Sequence, residues 1–69
     1  MIDQRIAIIG GTGKFGRHLG KRLDEENEVV ISGSNIKDAE RVAGDHDWEY
    51  GENKEVVKDA DVVIVAVPV

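Results

Sequence analysis

Ile6-Ala7-Ile8-Ile9-Gly10-Gly11-Thr12-Gly13-Lys14-Phe15-Gly16 joins a short apolar run to a turn rich in glycine. Gly11, Gly13 and Gly16 have the G-x-G-x-x-G spacing of a dinucleotide-binding turn between a strand and a helix. Each glycine has its own expected task. Gly11 permits the tight turn out of the strand, Gly13 lets a pyrophosphate approach the backbone, and Gly16 lets the helix lie close to the strand. The helix start then offers unpaired N–H groups and the positive end of a dipole to an anion. Thr12 adds a hydroxyl and its own N–H, while Lys14 and Phe15 open the first helical turn.

The flanking sequence fits this frame. Arg5 to Ile9 reads as a parallel strand buried on both faces. A helix is expected from about Lys14 to Glu25, with Phe15, Leu19 and Leu23 as its buried stripe. Glu28 to Ser32 reads as a second strand, and Ser34 or Asn35 caps a second helix from Ile36 to Ala43. That helix buries Ile36, Ala39, Val42 and Ala43 and stops at Gly44. Trp48-Glu49-Tyr50 reads as a short third strand. Asn53 then caps a short helix to about Asp59 that buries Val56, Val57 and Ala60. Val62 to Val67 is the fourth strand, ended by Pro68.

The alternation βαβαβαβ implies an α/β, Rossmann-like parallel sheet with helices on both faces. Right-handed crossovers give the strand order 3-2-1-4. The fourth strand is apolar on both faces, like an interior strand, yet this order makes it an edge. Residues 1–69 are therefore expected to be the N-terminal part of a dinucleotide-binding domain, a fragment whose C-terminal remainder is missing. The bare edge is expected to favour a homodimer through strand four.

Composition narrows the function. The chain has 69 residues, 41% of them hydrophobic and 33% charged, which suits one small globular domain. A net charge of −5 argues against general nucleic-acid binding. With no cysteine and only His18 and His46, neither a disulfide nor a metal site is expected. The start has no basic segment leading into a long apolar run, and Val62 to Val69 is too short to span a bilayer, so a cytoplasmic protein without a membrane partner is expected. No serine–histidine–acid set or carboxylate pair stands out, so no catalytic residue is assigned.

The cofactor is read from the end of strand two. A dinucleotide fold for NAD usually places an acid there to hold the ribose 2′-hydroxyl. This chain has Ser32-Gly33-Ser34-Asn35 instead, which permits a 2′-phosphate and favours NADP over NAD. Ser34 and Asn35 can donate hydrogen bonds to that phosphate, and Lys37, with Arg41 more remote, can supply charge. Val67 and Pro68 end strand four on the ligand side, where they are expected to border the cofactor's ribose and nicotinamide.

These residues carry a family likeness. Ile6 to Gly16 resembles the start of archaeal-type prephenate dehydrogenases and is similar to that of the deazaflavin-dependent NADP reductases. Val29-Val30-Ile31-Ser32-Gly33-Ser34 looks like the second strand of both groups, although an arginine often stands in the place of Ser34 or its neighbour. Asp59 to Pro68 resembles the fourth strand of the wider 6-phosphogluconate-dehydrogenase-like superfamily. The resemblance implies an NAD(P)-dependent oxidoreductase as parent. In prephenate dehydrogenases the oxidation is coupled to decarboxylation, giving 4-hydroxyphenylpyruvate for tyrosine biosynthesis. The catalytic residues of that family lie largely beyond this half, so the chain alone is expected to be inactive. A short-chain-dehydrogenase-like domain, a nucleotide-sensing module and an engineered fragment remain open alternatives. Gly10-x-Thr12-Gly13-x-x-Gly16 also fits the short-chain glycine pattern, whereas the Val-Ala-Val-Pro exit favours the first reading.

Overall fold

The computed structural model describes residues 4–66. Its elements are β1 (Arg5–Ile9), α1 (Lys14–Leu23), β2 (Glu28–Ser32), α2 (Ile36–His46), β3 (Glu49–Tyr50), α3 (Asn53–Lys58) and β4 (Val62–Val65). The strands form one parallel sheet in the order β3-β2-β1-β4, the expected α/β arrangement. Val67 and Pro68 lie outside the described residues.

Alternation along the strands divides the core between the two faces of the sheet. On one face Ile6, Ile8, Val29 and Ile31 pack with Val42 and Ala43 of α2 and with Ala66, and Leu23, Trp48, Val62 and Ile64 seal the margin. On the other, Ala7 and Val30 pack against Val56 of α3, with Ile9 and Ala60 beside them. Register aligns Ile8 with Ile31 on one side and with Ile64 on the other, so the apolar rows run straight across three strands.

The base of the sheet is tied by charge. Arg5 forms an ion pair with Glu28 and a two-pronged pair with Glu49, at 3.0 and 3.2 Å. Its N–H donates to the Asp61 carboxylate at 2.9 Å, and the Asp61 N–H donates back to the Arg5 carbonyl at 2.8 Å. One residue thus links the starts of all four strands, at the end opposite the glycine turn.

Several helix faces differ from the expected ones. Helix α1 ends at Leu23, whose carbonyl is taken by the backbone and side-chain N–H groups of Asn27. Phe15 is 67% exposed, and the buried positions are Gly16 and Gly20. The helix docks by backbone. A Cβ on Gly16 would lie 2.6 Å from the Gly10 carbonyl oxygen, and one on Gly20 would lie 2.5 Å from the Trp48 ring. That approach turns Phe15 outward and leaves Leu23 as the side chain that reaches the core.

Helix α2 runs through Gly44 to His46 and stops at Asp47, which adopts the left-handed conformation with φ 61°. The Trp48 N–H then closes on the Ala43 carbonyl at 2.8 Å. Gly44 has ordinary backbone and empty space where a side chain would stand, so it does not end the helix. Ile36 is exposed at the start of α2, and Ala39, Val42 and Ala43 form its buried face. In α3 the N-cap is Glu52, without a side-chain bond, and Asn53 is the first helical residue. Val56 is buried but Val57 is exposed. On β4, Val63 and Val65 remain 45% and 65% exposed, because α3 packs over β1 and β2.

Candidate functional site

All four strands end on the same side of the sheet, and the chain leaves β1 there through the glycine turn. Gly10 makes that turn. Its φ of 86° is a conformation that a residue bearing a Cβ enters only at a cost. The expectation that Gly11 performs the turn is corrected by this. Gly11 is needed for packing instead, since a Cβ there would lie 2.6 Å from the Ile31 side chain. Gly16 has the expected role of close helix approach. A glycine pair after a strand signalled the turn without saying which member takes positive φ.

Hydrogen bonding shows which amides the turn keeps for itself. Gly10 and Gly11 N–H both donate to the Ser32 carbonyl, at 2.9 and 3.0 Å, and Gly13 N–H donates to the Gly10 carbonyl at 3.2 Å. The first helical acceptor is the Gly13 carbonyl, which takes the Arg17 N–H at 2.9 Å. Among the described residues, the N–H groups of Thr12, Lys14, Phe15 and Gly16 have no protein acceptor. Gly13 is the N-cap and has no side chain to satisfy them, and no acid lies in the first turn. The start of α1 is therefore a set of free donors at the positive end of a helix dipole, an arrangement that attracts anions.

Gly13 stands exposed over this set. A Cβ on it would meet only the Gly10 carbonyl oxygen, at 3.6 Å, an ordinary contact. The fold does not demand glycine at this position, whereas an approaching ligand would.

Thr12 packs on the loop after β2, its hydroxyl oxygen about 3.0 Å from where a Gly33 Cβ would stand. The two loops enclose a cleft of about 290 Å³ lined by Ile9, Gly10, Thr12, Gly13, Gly33, Ser34, Asn53 and Ala66. Beside it, a second hollow of about 500 Å³ is lined by Gly33, Ser34, Ile36, Glu52, Asn53 and Lys54. The structure thus brings Thr12 and Gly13 together with Ser34. Gly11 and Gly16 are buried beneath the turn and shape it from below. Asn35 caps α2, its Oδ1 accepting the Lys37 N–H at 3.0 Å, which leaves its side-chain N–H₂ free to donate. Lys37 is exposed and lines neither cleft. Phe15 and Lys14 border a separate hollow with His18.

Sequence reading gave Ser32 and Asn53 no part in the site. Ser32 is fully buried and its hydroxyl donates to Asn53 Oδ1 at 2.5 Å. A serine at the end of an otherwise apolar strand was the available signal. Farther out, Tyr50 donates to Glu40 at 2.8 Å, and that bond, with desolvation and the carboxylate's charge, raises the phenol above its ordinary 10.0. Among the described residues no helix is long and apolar enough to cross a membrane.

Over 93% of its length the chain is 35% identical to an F420-dependent NADP reductase of Methanocaldococcus jannaschii, of which it covers 34%. It is also 35% identical, again over 93% of its length, to a probable arogenate/prephenate dehydrogenase of the same organism, of which it covers 15%. The chain therefore spans about a third or less of the curated relatives it matches. Among solved structures, UDP-N-acetylglucosamine 3-dehydrogenase from Acidithiobacillus ferrooxidans superposes with a TM-score of 0.85 at 21% identity, over 99% of this chain and 22% of that one. That likeness is one of fold. Residues 5–69 match the family model described as NADP oxidoreductase, coenzyme F420-dependent, and the chain belongs to that family of oxidoreductases.

Proposed function

We propose that this chain binds the ADP half of NADP as the N-terminal part of a longer dinucleotide-binding domain. The observation that carries the reading is the set of unpaired amides at Thr12, Lys14, Phe15 and Gly16, at the head of a helix whose Thr12 and exposed Gly13 line a cleft shared with Ser34. The diphosphate would sit on these amides at the head of α1. Gly11 and Gly16 hold the turn in shape, Gly13 leaves room, and Lys14 adds a cation at the rim. Ser34 and Asn35 donate to the ribose 2′-phosphate, and Lys37 supplies charge near it. No acid stands at the end of β2 to repel that phosphate. A relative named as an NADP reductase supports the preference for NADP over NAD.

NADP, when bound, supplies hydride chemistry at its nicotinamide. The work of this chain is positional: it fixes the adenosine end so that the reactive end lies toward the exit of β4, where Val67 and Pro68 follow. The substrate would be held by a C-terminal remainder. Prephenate-dehydrogenase and F420-dependent NADP reductase activities are the two parent reactions that the relatives suggest. The chain alone is expected to bind without turnover.

Isothermal titration with NADP, NAD and ADP tests this proposal. NADP should bind most tightly, and Ser34→Asp should weaken NADP about tenfold or more while sparing NAD, as expected for losing a charge-assisted hydrogen bond and gaining a repulsion. Equal binding of all three ligands would remove the NADP preference. No binding at all would remove the function.

A further inference from the structure

Ser32 is a junction between the two loops of the site. Its carbonyl accepts the N–H groups of Gly10 and Gly11, and its buried hydroxyl donates to Asn53 Oδ1 at 2.5 Å. Asn53 opens α3 and, like Ser34, lines both clefts, with Thr12 and Gly13 in one and Ile36 and Lys54 in the other. With Oδ1 taken, the free part of its side chain is the Nδ2 amide, whose two protons have no described acceptor. The formal charges of Lys54 and Glu52 in the second hollow oppose each other, which leaves neutral donors to set a preference there.

We infer that Asn53 is a specificity-determining contact for the adenosine ribose, its Nδ2 donating to the 2′-substituent, and that Ser32 is the positioning residue that holds it. This rests on the dinucleotide reading above. If the diphosphate lies on the amides after Thr12 and the adenine reaches the hollow beside Ile36, the group between them is the ribose. Asn53 and Ser34 are the side chains shared by both clefts that carry donors, and Asn53 is the one of the two held in place, by the Ser32 hydroxyl. Its carboxamide can donate to either a hydroxyl or a phosphate, and the bond to the charged phosphate is the stronger, whereas a carboxylate in its place would repel the phosphate.

Asn53→Asp keeps an oxygen for the Ser32 hydroxyl and replaces the donors with a charged acceptor. The NADP-to-NAD affinity ratio of the 69-residue chain should then fall about tenfold or more. Ser32→Ala should lower the ratio in the same direction but by less, because the amide is released rather than inverted. In the unsubstituted protein the side-chain amide resonances of Asn53 should shift on adding NADP, and in Ser32→Ala that shift should shrink. A merely structural bond would leave the ratio unchanged. Should Asn53→Asp fail to give a dispersed amide spectrum, Asn53→Ala takes its place, with an expected loss for NADP larger than that for NAD. Unchanged ratios with intact NADP binding would overturn the role of Asn53 alone. Failure of the unsubstituted chain to bind either cofactor would overturn both this inference and the functional reading.

Discussion

Gly10 and Gly44 show how differently two glycines in one small domain can be constrained. Gly10 holds φ 86°, so Gly10→Ala should cost about 1–2 kcal/mol in urea unfolding, the usual penalty for a left-handed residue with a Cβ. Gly44 has ordinary helical backbone and open space around it, so Gly44→Ala should raise stability by about 0.5–1 kcal/mol. Hydropathy cannot separate the two. What the sequence does reveal is the spacing of Gly11, Gly13 and Gly16; the conformational angle of their neighbour comes only from the way the Ser32 carbonyl gathers the Gly10 and Gly11 amides. Tyr50 offers a spectroscopic check. Its hydrogen bond to Glu40 favours the neutral phenol and raises its pKa above 10.0. The bond's contribution is therefore complete below the unfolded value and is lost as pH rises through the higher folded one. Absorbance titration should show the raised pKa, and Glu40→Gln should bring it down.

At the level of elements, α1 explains why the strands were legible and the helix faces were not. The bounds of β1 and β2 follow from apolar runs closed by glycine or polar residues, and both match the structure. For α1, Phe15-Leu19-Leu23 and Gly16-Gly20-Leu23 both have helical spacing, and only the first set carries hydrophobic weight. The second set is buried because backbone packs on backbone at Gly16 and on the Trp48 ring at Gly20. Trp48 is itself held, by its Nε1–H to Asp24 at 2.8 Å and by stacking on His46 at 4.4 Å. Gly20→Val should therefore destabilise the chain by about 1–3 kcal/mol through overpacking. Phe15→Ser should change stability by no more than about 0.5 kcal/mol, because that ring is largely solvated. Thermal unfolding of the two variants separates these outcomes.

For the molecule as a whole, chain order and alternation were enough to give the 3-2-1-4 sheet. The site was legible in its phosphate-facing half, where glycine spacing carries the information. Its second half, where Ser32 meets Asn53 across 21 residues of sequence, depends on how β2 and α3 pack and has no local signature. β4 ends the strand order β3-β2-β1-β4, and we propose that its outer edge pairs with another strand. Size-exclusion chromatography over a concentration series should show self-association that Val65→Lys suppresses, and a monomer at every concentration would contradict it. The amides at the head of α1 are where the diphosphate would sit. The most direct test is a backbone amide titration of the full chain with NADP. Shifts should concentrate at Thr12, Lys14, Phe15 and Gly16 and extend to Ser34. An unchanged spectrum, or shifts confined to the opposite end around Arg5, Glu28 and Glu49, would contradict the account.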